Sequence, residues 1–143
     1  MLQPIQNYTQ SQYKNYRTFD KTKTDYLVSQ KERALPYLAE VLGHSQNEAE
    51  IVEDLFVLNK SIDAGTKDVK RMYPVLSRFN NTTSPEIQTF LAGIYRKLQI
   101  PDAFGPLCEM LIRNSMNPQK SYFDPNEEIG GAILSYLSDK FKQ

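Results

Sequence analysis

Three prolines at similar spacing constrain the fold of this chain most. Pro36, Pro74 and Pro106 each sit in a short apolar helical pattern: Ala34-Leu35-Pro36-Tyr37-Leu38, Met72-Tyr73-Pro74-Val75-Leu76 and Phe104-Gly105-Pro106-Leu107-Cys108. They are 38 and 32 residues apart. Between and after them runs a second kind of helix that opens with an acid and an isoleucine: Glu50-Ile51, Glu86-Ile87 and Glu128-Ile129, 36 and 42 residues apart. Two helices per period of about forty residues is the signature of stacked helical repeats, in which each pair buries its apolar face on the next. A proline inside a helix costs about 3 kcal/mol, through a lost hydrogen bond and crowding of the preceding turn. Three at one phase therefore predict a bend that belongs to the architecture.

Apolar periodicity agrees. Leu35, Leu38, Val41 and Leu42 form one stripe, and Ile51, Leu55, Leu58 and Ile62 a second. Ile87, Leu91, Ile94 and Leu98 repeat the second at identical intervals, and Ile129, Ile133 and Tyr136 begin it again. Such stripes mark amphipathic helices, and no sustained alternation suggests a strand. Gly43 and Gly65 stand where helices should stop. Ser84-Pro85-Glu86, Asp124-Pro125-Asn126 and Asn47-Glu48 read as N-caps followed by early proline or acid.

The proline-bearing first helix and the second helix with its polar cap, aliphatic residue and Leu91, Ala92, Ile94 core resemble the HEAT-repeat family of α-solenoids, or more loosely an armadillo-like superhelix. The resemblance covers residues 25–143 and implies an all-α fold of about three helical-hairpin repeats. It departs from the family in one respect. The arginine ladder that often ties neighbouring repeats is not visible, since Val52, Gln88 and Gly130 follow the Ile51, Ile87 and Ile129 region instead. Residues 1–24 are rich in Gln, Asn, Tyr, Thr and Lys. They read either as a polar tail or as a docked capping helix whose rings, Tyr13, Tyr16, Phe19 and Tyr26, cover the end of the stack.

Composition narrows the function classes. Lys and Arg number 17, Asp and Glu 17, so the net charge is zero. A dedicated nucleic-acid binder needs a basic surplus, which makes nucleic acid an unexpected partner. One cysteine and one histidine make no disulfide and no zinc site. The chain has no apolar run long enough to span a membrane, and Met1-Leu2-Gln3-Pro4 lacks a signal-peptide layout, so a cytoplasmic setting without a membrane partner is expected.

No constellation suggests catalysis, a cofactor or a metal. His44 lacks a nucleophile and an orienting partner and reads as a helix-end or loop residue. Cys108, among Leu107, Met110 and Leu111, reads as a small core residue. Glu40, Glu48, Glu50, Glu53 and Asp54 read as helix N-terminal charge and a solvated face, or as a docking patch for a basic partner. Lys60, Lys67, Lys70, Arg71 and Arg78 form a basic stretch that could touch phosphate. Gly130-Gly131 suggests close approach of a neighbour.

The expected function is a non-enzymatic protein- or peptide-binding scaffold. Its face is projected from the residues opposite the core stripes: Glu53, Val57 and Lys60, then Thr89 and Arg96, then Ser135. The family resemblance also allows an enzyme-associated protein, similar to a bilin lyase or a DNA glycosylase.

Overall fold

The computed structural model describes residues 19–118 and 124–142, and every regular element among them is helical. Helix α1 spans Lys21–Ser29. The three proline-bearing rods follow at their expected places, each opening with a 3-10 turn. Lys31–Ala34 runs into α2, Leu35–His44; Val69–Met72 into α4, Tyr73–Leu76, and a further 3-10 turn, Ser77–Phe79; Pro101–Ala103 into α6, Phe104–Met116. The second-type helices are α3, Glu48–Asp63, α5, Pro85–Leu98, and α7, Pro125–Lys142. Helical structure thus starts before residue 25, and the boundary expected at 24/25 falls inside α1. Tyr13 and Tyr16 lie outside the described residues.

The prolines are in phase, but they do not bend helix interiors. Each lies five residues after the start of its 3-10 turn: Lys31 to Pro36, Val69 to Pro74, Pro101 to Pro106. That places Pro36 and Pro74 second, and Pro106 third, in their α-helices. The first N–H groups of an α-helix have no intrahelical partner, so a proline there forfeits nothing. The repeated proline marks the junction of 3-10 turn and α-helix.

The second-type helices begin as their caps predict. Asn47 Oδ1 accepts from the Glu50 N–H at 3.0 Å, Ser84 Oγ from Ile87 at 3.2 Å, and Asp124 Oδ1 from Asn126 at 3.2 Å. Gly65 ends α3 as expected. At φ +92° it allows its own N–H to reach the Ile62 carbonyl (3.0 Å) and the Thr66 N–H to reach Ser61 (2.9 Å). Gly43 does not play this part. It lies within α2, which continues to His44 and ends at an extended Ser45. The end of α5 is closed by Gln99 at φ 53°, a left-handed position with no glycine to announce it.

Helices α1, α3, α5 and α7 lie side by side and parallel. Start meets start and end meets end: Lys23 reaches Glu53 while Lys31 reaches the Ala64 carbonyl; Ser84 reaches Glu48 while Lys97 reaches Asp63; Gln99 reaches Ser135. The core lies between this row and the proline-bearing rods, with Leu38, Leu42, Leu76, Leu107 and Met110 facing Leu55, Leu58, Leu91 and Ile94, all fully buried. Polar groups cross the core in pairs. Gln88 and Asn114 exchange side-chain amide bonds (2.8 and 3.3 Å), and Asn114 also donates to Asn126 at 2.8 Å. Tyr95 donates its hydroxyl to Asn80 Oδ1 at 2.6 Å, and Tyr136 to the Ile100 carbonyl at 2.6 Å.

Two arginines tie neighbouring rods through backbone carbonyls, which is a different arrangement from the ladder that the sequence lacks at its isoleucine caps. Arg78, at the end of the second rod, donates to the Leu42 carbonyl at the end of the first. Arg113, on the third rod, donates to the Asn80 carbonyl at the end of the second, at 3.0 Å. Each rod thus satisfies orphan carbonyls of the preceding one, and places a cation at the negative end of its dipole.

Two substitutions separate these roles. Pro74→Ala is expected to change unfolding free energy by less than about 1 kcal/mol, because the position needs no N–H and tolerates alanine. Leu91→Ala, at a fully buried site, is expected to cost about 3 kcal/mol. Urea unfolding followed by circular dichroism measures both, and a change of about 3 kcal/mol at Pro74 would contradict its first-turn placement.

Candidate binding surface

A helix flanked on both sides shows solvent only a narrow strip. On α3 the flanks are α1 and α5, and the strip comprises Phe56, Asn59, Lys60 and Asp63. Phe56 lies at its centre. Phe19, just ahead of α1, stacks on it with ring centroids 4.5 Å apart, and Phe90 of α5 meets it edge-on at 6.1 Å. The Lys60 ammonium sits over the Phe56 ring, 5.6 Å from its centroid, within range of cation–π attraction.

This aromatic line separates two connected hollows. The deeper, about 720 Å³, lies between α1 and α3, with Phe19, Val28, Phe56 and Ala64 as apolar floor and Lys21, Lys31 and Lys60 around it. The shallower, about 300 Å³, lies between α3 and α5 and reaches Glu128 of α7. Phe56 and Lys60 line both, so the two hollows adjoin along the α3 strip as the two halves of a groove.

Charges differ along the groove. In the shallow half they are closed: Lys97 pairs with Asp63 at 3.0 Å, and Arg96 with Glu128 at 3.4 Å. In the deep half Lys21 pairs with Asp25 at 2.6 Å, while Lys31 is held by the Ala64 carbonyl at 2.6 Å. Lys60 has no carboxylate within pairing distance among the described residues. Gly93 lets the shallow half form. A Cβ there would come 3.3 Å from Asn59 Oδ1, tighter than ordinary packing. Gly131 likewise leaves room for the Arg96 guanidinium, whereas a Cβ on Gly130 would meet nothing.

The six residues projected as a binding face divide. Lys60 and Thr89 line the groove. Glu53 is half-buried and turned toward α1, accepting from Lys23 at 3.4 Å and from the Asp20 N–H at 3.2 Å. Val57 is wholly buried, because α3 has a neighbour on each flank and the face opposite the stripe is not free. This corrects its projected exposure. Arg96 is exposed but paired with Glu128, and Ser135 accepts from Gln99 at 2.8 Å. Phe56 and Phe90 were missed. Their signal was their place beside, rather than opposite, the aliphatic stripes.

His44 is an exposed helix-end residue 3.5 Å from Glu40, and Cys108 is half-buried on α6. Among the described residues no three His, Cys, Asp or Glu side chains gather as metal ligands, and no helix is long and apolar enough to cross a membrane.

The acidic stretch is not uniformly solvated. Asp54 is fully buried at the α1–α3 side, and neither carboxylate oxygen has a hydrogen-bond partner among the described residues; the same holds for the buried Thr24 Oγ1 of α1. Its spacing, three after Ile51 and four before Leu58, puts it on the core stripe. Burial pushes its carboxyl up from an ordinary 3.8 to about 6; Lys23 opposes the rise, and Glu53 and Glu50 add to it.

No family model, curated protein or solved structure matches the chain.

A raised carboxyl pKa means that the folded chain keeps a proton the unfolded chain releases. Stability should therefore fall as pH rises from about 4 to 6, with the full cost present above 6, on the order of 2–3 kcal/mol. Asp54→Asn is expected to flatten this slope and to give a higher urea midpoint than the wild type at pH 7.5. Parallel pH profiles for the two proteins would contradict the assignment.

Proposed function

We propose that this chain is a short α-solenoid of three HEAT-like or armadillo-like helical pairs, preceded by α1, and that it works as a non-enzymatic module binding an extended segment of protein or peptide. The observation that carries the reading is the groove itself, which crosses parallel helices, is floored by three phenylalanines and contains a glycine where neighbouring helices close in. A continuous groove with an apolar floor and polar rim suits a chain laid across several helices more than a compact substrate. The α1 helix supports the repeat reading, because it covers the flank of α3 that an end repeat would otherwise leave bare.

The enzyme-associated alternatives gain less. A DNA-glycosylase-like chain would need a basic groove and a buried carboxylate. Asp54 is buried, but it lies on the core stripe of α3 and is not among the residues lining the groove, and a chain of zero net charge lacks the basic surplus of a nucleic-acid binder. A bilin-lyase-like chain would need a pocket for a tetrapyrrole, and the two hollows here lie open along the α3 strip on either side of Phe56 and do not enclose a compact ligand.

Panning the full-length chain against a random peptide display library tests the reading. Recovered peptides are expected to compete with one another and to lose binding when Thr89→Trp fills the shallow half. Phe56→Ala should weaken them while the helical circular dichroism is retained. Recovery only of peptides indifferent to both substitutions would reject the groove as the binding surface.

A further inference from the structure

Resting on that reading, we propose that the groove's occupant is an acidic, apolar peptide segment, with a carboxylate answering Lys60 and a neighbouring aliphatic or aromatic side chain lying on the Phe56 floor. The charges in the groove argue for this composition. Three cations surround the deep half, and Asp25, the one acid there, is taken by Lys21 at 2.6 Å. Lys31 meets a carbonyl, and Lys60 meets an aromatic face. Neither has a carboxylate partner among the described residues, so the deep half is left with an excess of positive charge.

An apolar ligand covering the groove would strip water from those ammonium groups and give nothing in return, and a basic one would add repulsion. A carboxylate makes a charge-assisted bond there, and the apolar floor lowers the local dielectric in which it acts. Apart from the shared Lys60, the shallow half makes no such demand, since its other charges are already paired. It accepts the uncharged remainder of the segment past Gly93.

The chemistry also separates this occupant from two others. Residues 1–18 carry Lys14 and Arg17 and no acid, so the chain's own N-terminal segment has the wrong sign. A nucleic acid depends on several phosphate contacts for its affinity, and two cations without a carboxylate partner among the described residues, above an apolar floor, suit a single carboxylate better.

The test uses the same display library on the full-length chain and on Lys60→Glu. Lys60 is exposed, so the variant keeps the fold, and circular dichroism checks it. Peptides that depend on Phe56 and Thr89 are expected to be enriched in Asp or Glu next to Leu, Ile or Phe. Their affinity should fall about fivefold or more in Lys60→Glu, and it should weaken as salt rises. Groove-dependent peptides without acidic enrichment, or with unchanged affinity for Lys60→Glu, would overturn this inference and leave the groove reading standing. The absence of any groove-dependent peptide would remove both.

Discussion

Parallel packing of neighbouring helices asks each inner helix to be apolar on more than one flank, and α5 meets that demand most fully. It touches α3 on one side and α7 on the other, and Leu91, Ala92, Ile94 and Tyr95 are all fully buried. Small residues let the neighbours close in, with Gly93 facing Asn59. Asn59 then donates to the Phe90 carbonyl at 3.2 Å, a side-chain bond that ties one helix to the backbone of the next. Removing apolar volume at this point loosens two interfaces at once, because both neighbours rest on the same few side chains.

Helix ends supply the second constraint. A chain with many short helices has many orphan carbonyls, and each must find a donor or remain in water. Here the donors come largely from neighbouring units. Arg78 serves Leu42, Arg113 serves Asn80, and Lys31 serves Ala64. Such bonds fix how far each unit is rotated against the last, which apolar contact alone leaves loose. The same logic sorts the charge. Acids gather at the starts of α3, α5 and α7, and cations near the ends of α3 and α5, so a molecule of zero net charge carries local excesses of both signs.

Much of this was legible in the residues. Stripes with intervals of three and four gave the helices, and Asn47, Ser84 and Asp124 gave three starts. Pro36, Pro74 and Pro106 gave three recurring junctions of 3-10 turn and α-helix, because backbone phase is a local property. Their effect was misjudged for a physical reason. A 3-10 turn ahead of an α-helix looks helical in its apolar pattern, so the true α start, and with it the harmlessness of the proline, was hidden. Val57 failed for a different reason. Opposite the core means exposed only when a helix has one neighbour, and the docking of α1 on α3 is a tertiary fact. Asp54 was grouped with its acidic neighbours by composition, although its register placed it on the buried stripe.

The groove depends on that same docking. Phe19, Lys21, Thr24 and Val28 bring one wall, and Phe56, Lys60 and Ala64 bring the other, so the deep half exists only while α1 lies on α3. The seam is held by the Phe19–Phe56 stack and the Lys23–Glu53 pair. Beside it is a buried carboxylate that is costly to ionise. These effects oppose one another at one seam between α1 and α3. A ligand that touches both walls binds only the docked arrangement and so adds its own free energy to it. For any ligand of that kind, the stability of α1 against α3 would therefore enter its affinity, because the walls exist only while the seam is closed.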